Sequence, residues 1–236
     1  MQSTELLGGA QWKGRLWYAY GTSMTAPVWG HYVPFVEAFS GLKVVNRGNP
    51  GEGLTRNIGG YAKTGLTLQR VKDLSDGKEA ADLITLEVGP NDAGAPLGSI
   101  YDNGEDSFCG CLNQAIRFLQ QHTAAQIVVL SMTGARYSPA DGAARPPEFV
   151  YGSRKEGYTR LQMNRAIRDV AELNNVYYIP AGEGSGLGQA RVGAPENVTY
   201  LKDQIHLTEL GGFNMALAVW SRLKDIPRWY SALPEE

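Results

Sequence analysis

The chain has 236 residues, 43% of them hydrophobic and 19% charged, which is enough for one well-cored globular domain and short for two. Its 22 Lys and Arg nearly balance 24 Asp and Glu, for a formal net charge of -2. No basic block breaks that balance, which excludes a nucleic-acid partner held through phosphate contacts.

No run reaches the ~18 apolar residues that cross a bilayer, so no membrane partner is expected. The first fifteen residues, MQSTELLGGAQWKGR, lack the charged-then-apolar order of a secretory signal, and the expected location is cytoplasmic. Cys109 and Cys111 are too close in sequence to bridge comfortably. They have no further ligands near by for a metal and are read as helix residues.

In chain order, RLWYAYG (15–21) reads as the first strand and is followed by GTS (21–23). A helix is expected from His31 to Ser40, then a second strand, LKVVNRG (42–48). A glycine-rich segment from Asn49 to Gly65 leads to a helix over Thr67 to Leu74. The third strand, ADLITLEVG (81–89), runs into GPND (89–92). Phe108, Leu112, Ala115, Ile116 and Leu119 then share one helix face.

A fourth strand, AQIVVLSM (125–132), precedes a Pro-, Gly- and Arg-rich loop from Thr133 to Lys155. Met163, Ala166, Ile167, Val170 and Ala171 mark the next helix, and NVYYIPAG (175–182) the fifth strand. DQIH (203–206) comes before a last helix whose apolar face is read as Phe213, Ala216, Leu217, Trp220 and Leu223. Nearly continuous apolar strands alternating with amphipathic helices predict one α/β domain over 1–236, with a parallel sheet and right-handed crossovers. Residues 1–13 and 228–236 are expected at its periphery.

GTS, NRGNPG (46–51) and GPND each follow a strand, so they fall at the carboxyl edge of the sheet, where open α/β folds bind ligands. DQIH lies in the loop before the final helix. These are the parts of an ester hydrolase. Ser23 is the candidate nucleophile and His206 the general base that takes its proton and returns it to the leaving alcohol. Asp203 orients the imidazole. The Ser23 N–H, a glycine N–H of the second stretch and the Asn91 amide form the oxyanion donors.

The four stretches, in this order, resemble the blocks of the SGNH (GDSL-type) hydrolase family across nearly the whole chain. The resemblance implies a flavodoxin-like three-layer α/β/α sandwich with a five-stranded sheet ordered 2-1-3-4-5. It also implies a serine esterase needing neither metal nor organic cofactor. Thr22 stands where that family usually has aspartate, a departure that touches local hydrogen bonding and not the triad. Two glycines compete in the second block. Gly51 closes NRGNPG directly after a strand, with Asn46 at the family's spacing, and is preferred; Gly65, in YAKTGLT, opens a helix.

Each candidate also has a plainer reading. His31 begins a helix and His122 ends one, where a cation suits the helix dipole. Asn91 and Asp92 can both serve turns, and Asp92 is read as structural. Arg136, Tyr137, Arg145 and Tyr151, in the long loop, are either solvent-exposed or substrate-recognising. Asn197-Val198-Thr199 matches a glycosylation acceptor without other support. A polar Arg- and Tyr-bearing rim suits an acetylated carbohydrate or another small polar ester. A lysophospholipase or thioesterase of the same family, a non-catalytic carbohydrate-binding module and a flavodoxin-like nucleotide binder are the rivals. The α/β-hydrolase G-x-S-x-G elbow is absent, as Thr25 shows. Oligomeric state is not legible.

Overall fold

The structure, a computed structural model, describes residues 9–55, 69–71, 81–92, 95–131, 150–151, 158–185, 187, 200–202 and 206–228. Five parallel strands form the main sheet: β1 (Leu16–Gly21), β2 (Lys43–Gly48), β3 (Leu83–Glu87), β4 (Gln126–Leu130) and β7 (Tyr177–Ile179). Their order is β2-β1-β3-β4-β7, the expected 2-1-3-4-5 of a doubly wound sheet. Two-residue strands β5 (Val150–Tyr151) and β6 (Tyr158–Thr159) pair antiparallel as a separate ribbon.

Alternation along β1 explains why its sequence is apolar throughout. Trp17 and Ala19 point into one core, Tyr18 and Tyr20 into the other. The first core is covered by α1 (Tyr32–Ser40) and α5 (Glu209–Leu223), the second by α2 (Phe108–His122) and α3 (Arg160–Leu173). A four-residue helix, α4 (Ala181–Gly184), follows β7. Side-chain caps fix the longer helix starts: Ser107 accepts from Gly110 N and Thr208 from Gly211 N.

Three expectations are corrected. β2 is the sheet edge and only half-buried, not covered on both faces. Leu217 is 45% exposed and Phe213 half-exposed, while Met215 and Val219 are buried with Ala216, Trp220 and Leu223. The cause is a pair of glycines. A Cβ on Gly211 would overlap the Tyr200 carbonyl oxygen, and one on Gly212 the backbone at His31. Without side chains there, α5 presses its glycine side inward and turns Leu217 to solvent. Finally, residues 9–13 are not wholly peripheral: Trp12 is fully buried, and its Nε1 donates to Leu223 O over 3.0 Å. Of the helix expected over 67–74, only residues 69–71 are described, and they are helical.

Candidate active site

Ser23 sits in the turn that ends β1 and is 9% exposed. The turn closes through Thr25 N and Ala26 N, which donate to Thr22 O at 3.1 and 3.0 Å. Beneath it lies Glu87, the last residue of β3, with no exposed surface. Glu87 Oε2 accepts from Thr22 N (2.9 Å), Thr22 Oγ1 (2.8 Å) and Thr25 Oγ1 (3.2 Å). Tyr32 OH shares a further hydrogen bond with Thr25 Oγ1 at 3.1 Å. Glu87 Oε1 is buried without a partner. Burial pushes the Glu87 carboxyl above the usual carboxylate range, against the hydrogen bonds from Thr22 and Thr25 that favour its charged form. Tyr32 is pushed up as well, by burial first and by Glu87 second.

The exit of β2 is stitched to that turn. Asn46 Nδ2 donates to Thr25 O at 2.8 Å and Asn49 N to Gly21 O at 3.0 Å. A Cβ on Gly48 would overlap the backbone at Thr25 and Ala26, so only glycine permits this approach. Gly51 has φ 75°, the left-handed region that favours glycine. The next residue, Glu52, gives its carbonyl to Asn91 Nδ2 at 2.9 Å. Its buried carboxylate pairs with Arg70 at 2.7 Å. Asp92 Oδ1 accepts from both the N–H and the hydroxyl of Thr55, each at 2.8 Å. Burial nonetheless holds Asp92 above the usual carboxylate range. Gly51 and Asn91 are therefore brought together at one edge of the sheet; Gly65 lies outside the described residues.

His206 is half-buried, with its ring centroid 4.6 Å from that of Trp29, in the loop that Ser23 opens. Its segment is closed at the base by a bridge between Leu201 and Leu207. Lys202 N donates to His206 O and Thr208 N to Tyr200 O, both at 2.9 Å. Asp203 lies outside the described residues, as do Arg136, Tyr137, Arg145 and the 197–199 triplet. Tyr151 falls in β5. His31 is the residue before α1, and His122 stacks on Phe118 in the last turn of α2. Cys109 and Cys111 are buried thiols of α2, with the Cys109 thiol pushed up to about 12 chiefly by burial.

Sequence reading missed Glu87, Glu52 and Trp29. For Glu87 a signal exists, because LITLE is a strand covered on both faces and a carboxylate inside it has to meet donors. Among the described residues, no group of three or more His, Cys, Asp or Glu is arranged to hold a metal ion. Among the same residues, no helix is long and apolar enough to cross a membrane.

The GDSL-like Lipase/Acylhydrolase family matches residues 16–212. No curated protein matches the chain in sequence. A protein of known structure from Lactobacillus plantarum superposes with TM-score 0.68 at 21% identity, covering 89% of this chain and 97% of its own. Axe2, an acetylxylan esterase from Geobacillus stearothermophilus, gives TM-score 0.59 at 16% identity, covering 93% and 98%. A possible lipase from Chitinophaga pinensis gives 0.57 at 16%, covering 87% and 96%. At these identities the likeness shows the fold.

Proposed function

Because the chain belongs to the GDSL-like lipase/acylhydrolase family and is thus a hydrolase, we propose that it is a serine esterase working through an acyl-enzyme on acetylated carbohydrates or other short polar esters. What chiefly supports this reading is the Asn91 Nδ2 to Glu52 O contact. It leaves the second N–H of the Asn91 amide free of that carbonyl and sets it beside the Gly51 loop, at the edge where β1 delivers Ser23. An oxyanion hole requires donors from different strands to meet at one oxygen position, and in this reading the Gly51 N–H and the Asn91 amide are that pair.

In this mechanism neutral His206 takes the Ser23 proton while Oγ attacks the ester carbonyl carbon. Asp203 orients the imidazole and stabilises its cationic form. The carbonyl oxygen gains negative charge and meets the Ser23 and Gly51 N–H groups and the Asn91 amide. When the tetrahedral centre collapses, the bond to the alcohol breaks and His206 returns the proton to the leaving oxygen. A water, deprotonated by His206, attacks the acyl-Ser23 ester by the reverse route and releases the acid.

The preference for acetylated carbohydrate rests on the Arg- and Tyr-bearing sequence after β4 and on the likeness in fold to Axe2, an acetylxylan esterase. Turnover of 4-nitrophenyl acetate by the wild type and not by Ser23→Ala tests the serine mechanism. A panel of esters of rising acyl length, with acetylated xylo-oligosaccharides included, tests the substrate. Equal turnover by Ser23→Ala would remove the serine from the mechanism, and a preference for long acyl chains would remove the carbohydrate.

A further inference from the structure

Among the described residues, Trp29 has two ring partners, His206 and Lys202, and both belong to the segment that carries the candidate base. The His206 centroid is 4.6 Å away with the planes at 40°, and Lys202 Nζ stands 4.1 Å from the indole centroid. Those two residues are also joined to each other, since Lys202 N donates to His206 O at 2.9 Å. One indole therefore receives both ends of the base segment.

Trp29 is itself fixed with respect to the nucleophile. Its N–H donates to Ala26 O at 3.1 Å, and Ala26 N donates to Thr22 O at 3.0 Å, which closes the turn holding Ser23. Gly30 N also donates to Ala26 O at 2.7 Å. The Ser23 turn and the 26–30 turn thus form one continuous piece of hydrogen-bonded backbone, and the indole is its projecting arm.

We infer that Trp29 is a positioning residue that seats His206 on the nucleophile loop. The inference rests on the esterase reading, in which His206 is the base. A segment far along the chain must present its imidazole to Ser23, and tilted ring contact with an indole anchored in the Ser23 loop sets the imidazole's angle and height. The Lys202 ammonium over the indole ties a second residue of the segment, next to the Leu201–Leu207 bridge, to the same ring. An indole that served instead as a platform for the substrate would act on substrate binding and leave the base alone.

Kinetics of 4-nitrophenyl acetate hydrolysis separate these roles. Trp29→Ala should lower kcat by ~10–100-fold with KM within about twofold, as a misplaced catalytic group does, and Trp29→Phe should restore most of the loss. Melting temperatures and the ring-proton NMR shifts of His206 are read on the same variants. Those protons should move when the indole ring current is removed, whatever the turnover. Wild-type kcat in folded Trp29→Ala would overturn the inference, and so would a raised KM at constant kcat. Unmoved His206 ring protons in Trp29→Leu, which keeps bulk and removes the ring current, would overturn it even if the alanine variant failed to fold. A wild type without Ser23-dependent turnover would overturn the esterase reading, and the NMR comparison would still decide the Trp29–His206 contact.

Discussion

Thr22, the residue before the candidate nucleophile, donates both its backbone N–H and its hydroxyl to one oxygen of Glu87, at 2.9 and 2.8 Å. An aspartate at position 22, usual in families with a GDS block, would place a second carboxylate against a buried one. Threonine supplies a donor there instead, which is how this chain accommodates the departure.

That pairing has a consequence for pH. The native protein keeps the Glu87 proton to higher pH than an unfolded chain does, because burial penalises the carboxylate. Between those two ionisations the native state binds more protons, so this group's contribution to stability is complete at low pH and is lost as pH rises. Glu87→Gln cannot ionise and keeps an oxygen for Thr22. Its melting temperature should therefore gain on that of the wild type as pH climbs from about 4, the ordinary carboxylate range, to about 8. A difference that stays constant over this span would show that Glu87 does not titrate this way.

In the esterase reading, Asn91→Ala removes a side-chain donor aimed at charge that exists only in the transition state. It should lower kcat by ~10²–10³-fold, about 2.7–4 kcal/mol, with little change in KM. Gly51→Ala keeps its N–H but places an L-residue at φ 75°, a strain of about 1–2 kcal/mol that the loop relieves by shifting. Turnover should fall steeply in a protein that still melts cooperatively. Gly65→Ala should leave turnover in place. The reverse pattern would transfer the oxyanion role to Gly65.

The rotation of α5 is testable by stability alone. Met215 is fully buried, so Met215→Ala should cost about 2–5 kcal/mol. Leu217, at 45% exposure, should tolerate glutamine within about 0.5 kcal/mol. Urea denaturation of the two variants checks both values, and a large loss at Leu217 would restore the face read from the sequence.

Much of the fold was legible because most of the sheet strands are short apolar runs between turn residues, and the central ones, such as β3, are buried throughout. The strand order came with the family resemblance, since apolar runs do not say which strands are neighbours. The helix face of α5 was misread because the period counts large side chains, whereas docking here is decided by Gly211 and Gly212, which have none. β5 falls in the segment read as loop and β6 was given no assignment, since two residues are too few for an alternation to register. At the site, Ser23, Asn91 and His206 stood out by motif. Glu87 and Glu52 did not, because a buried carboxylate is spelled like a solvated one. Trp29 was missed because its partners lie in a segment far from it in sequence.

The two apolar layers also differ in when a growing chain can complete them. The layer under α2 and α3 draws on residues between Tyr18 and Ala171, whereas the layer under α1 and α5 needs Trp12 at one end and Ile226 at the other. Synthesis proceeds from the N-terminus, and exposed apolar surface persists until its cover arrives. Ribosome-stalled chains ending before Glu209 should therefore show Trp17 and Tyr32 accessible to protease and apolar dye, with the opposite layer already protected. Equal protection of both layers in such chains would argue against this order. The helix that closes the sheet follows the His206 segment directly, so covering the last bare face and bringing His206 to the Ser23 loop become a single event. In the esterase reading, nascent chains would then pass from inert to hydrolytically competent in one step, once α5 has been made.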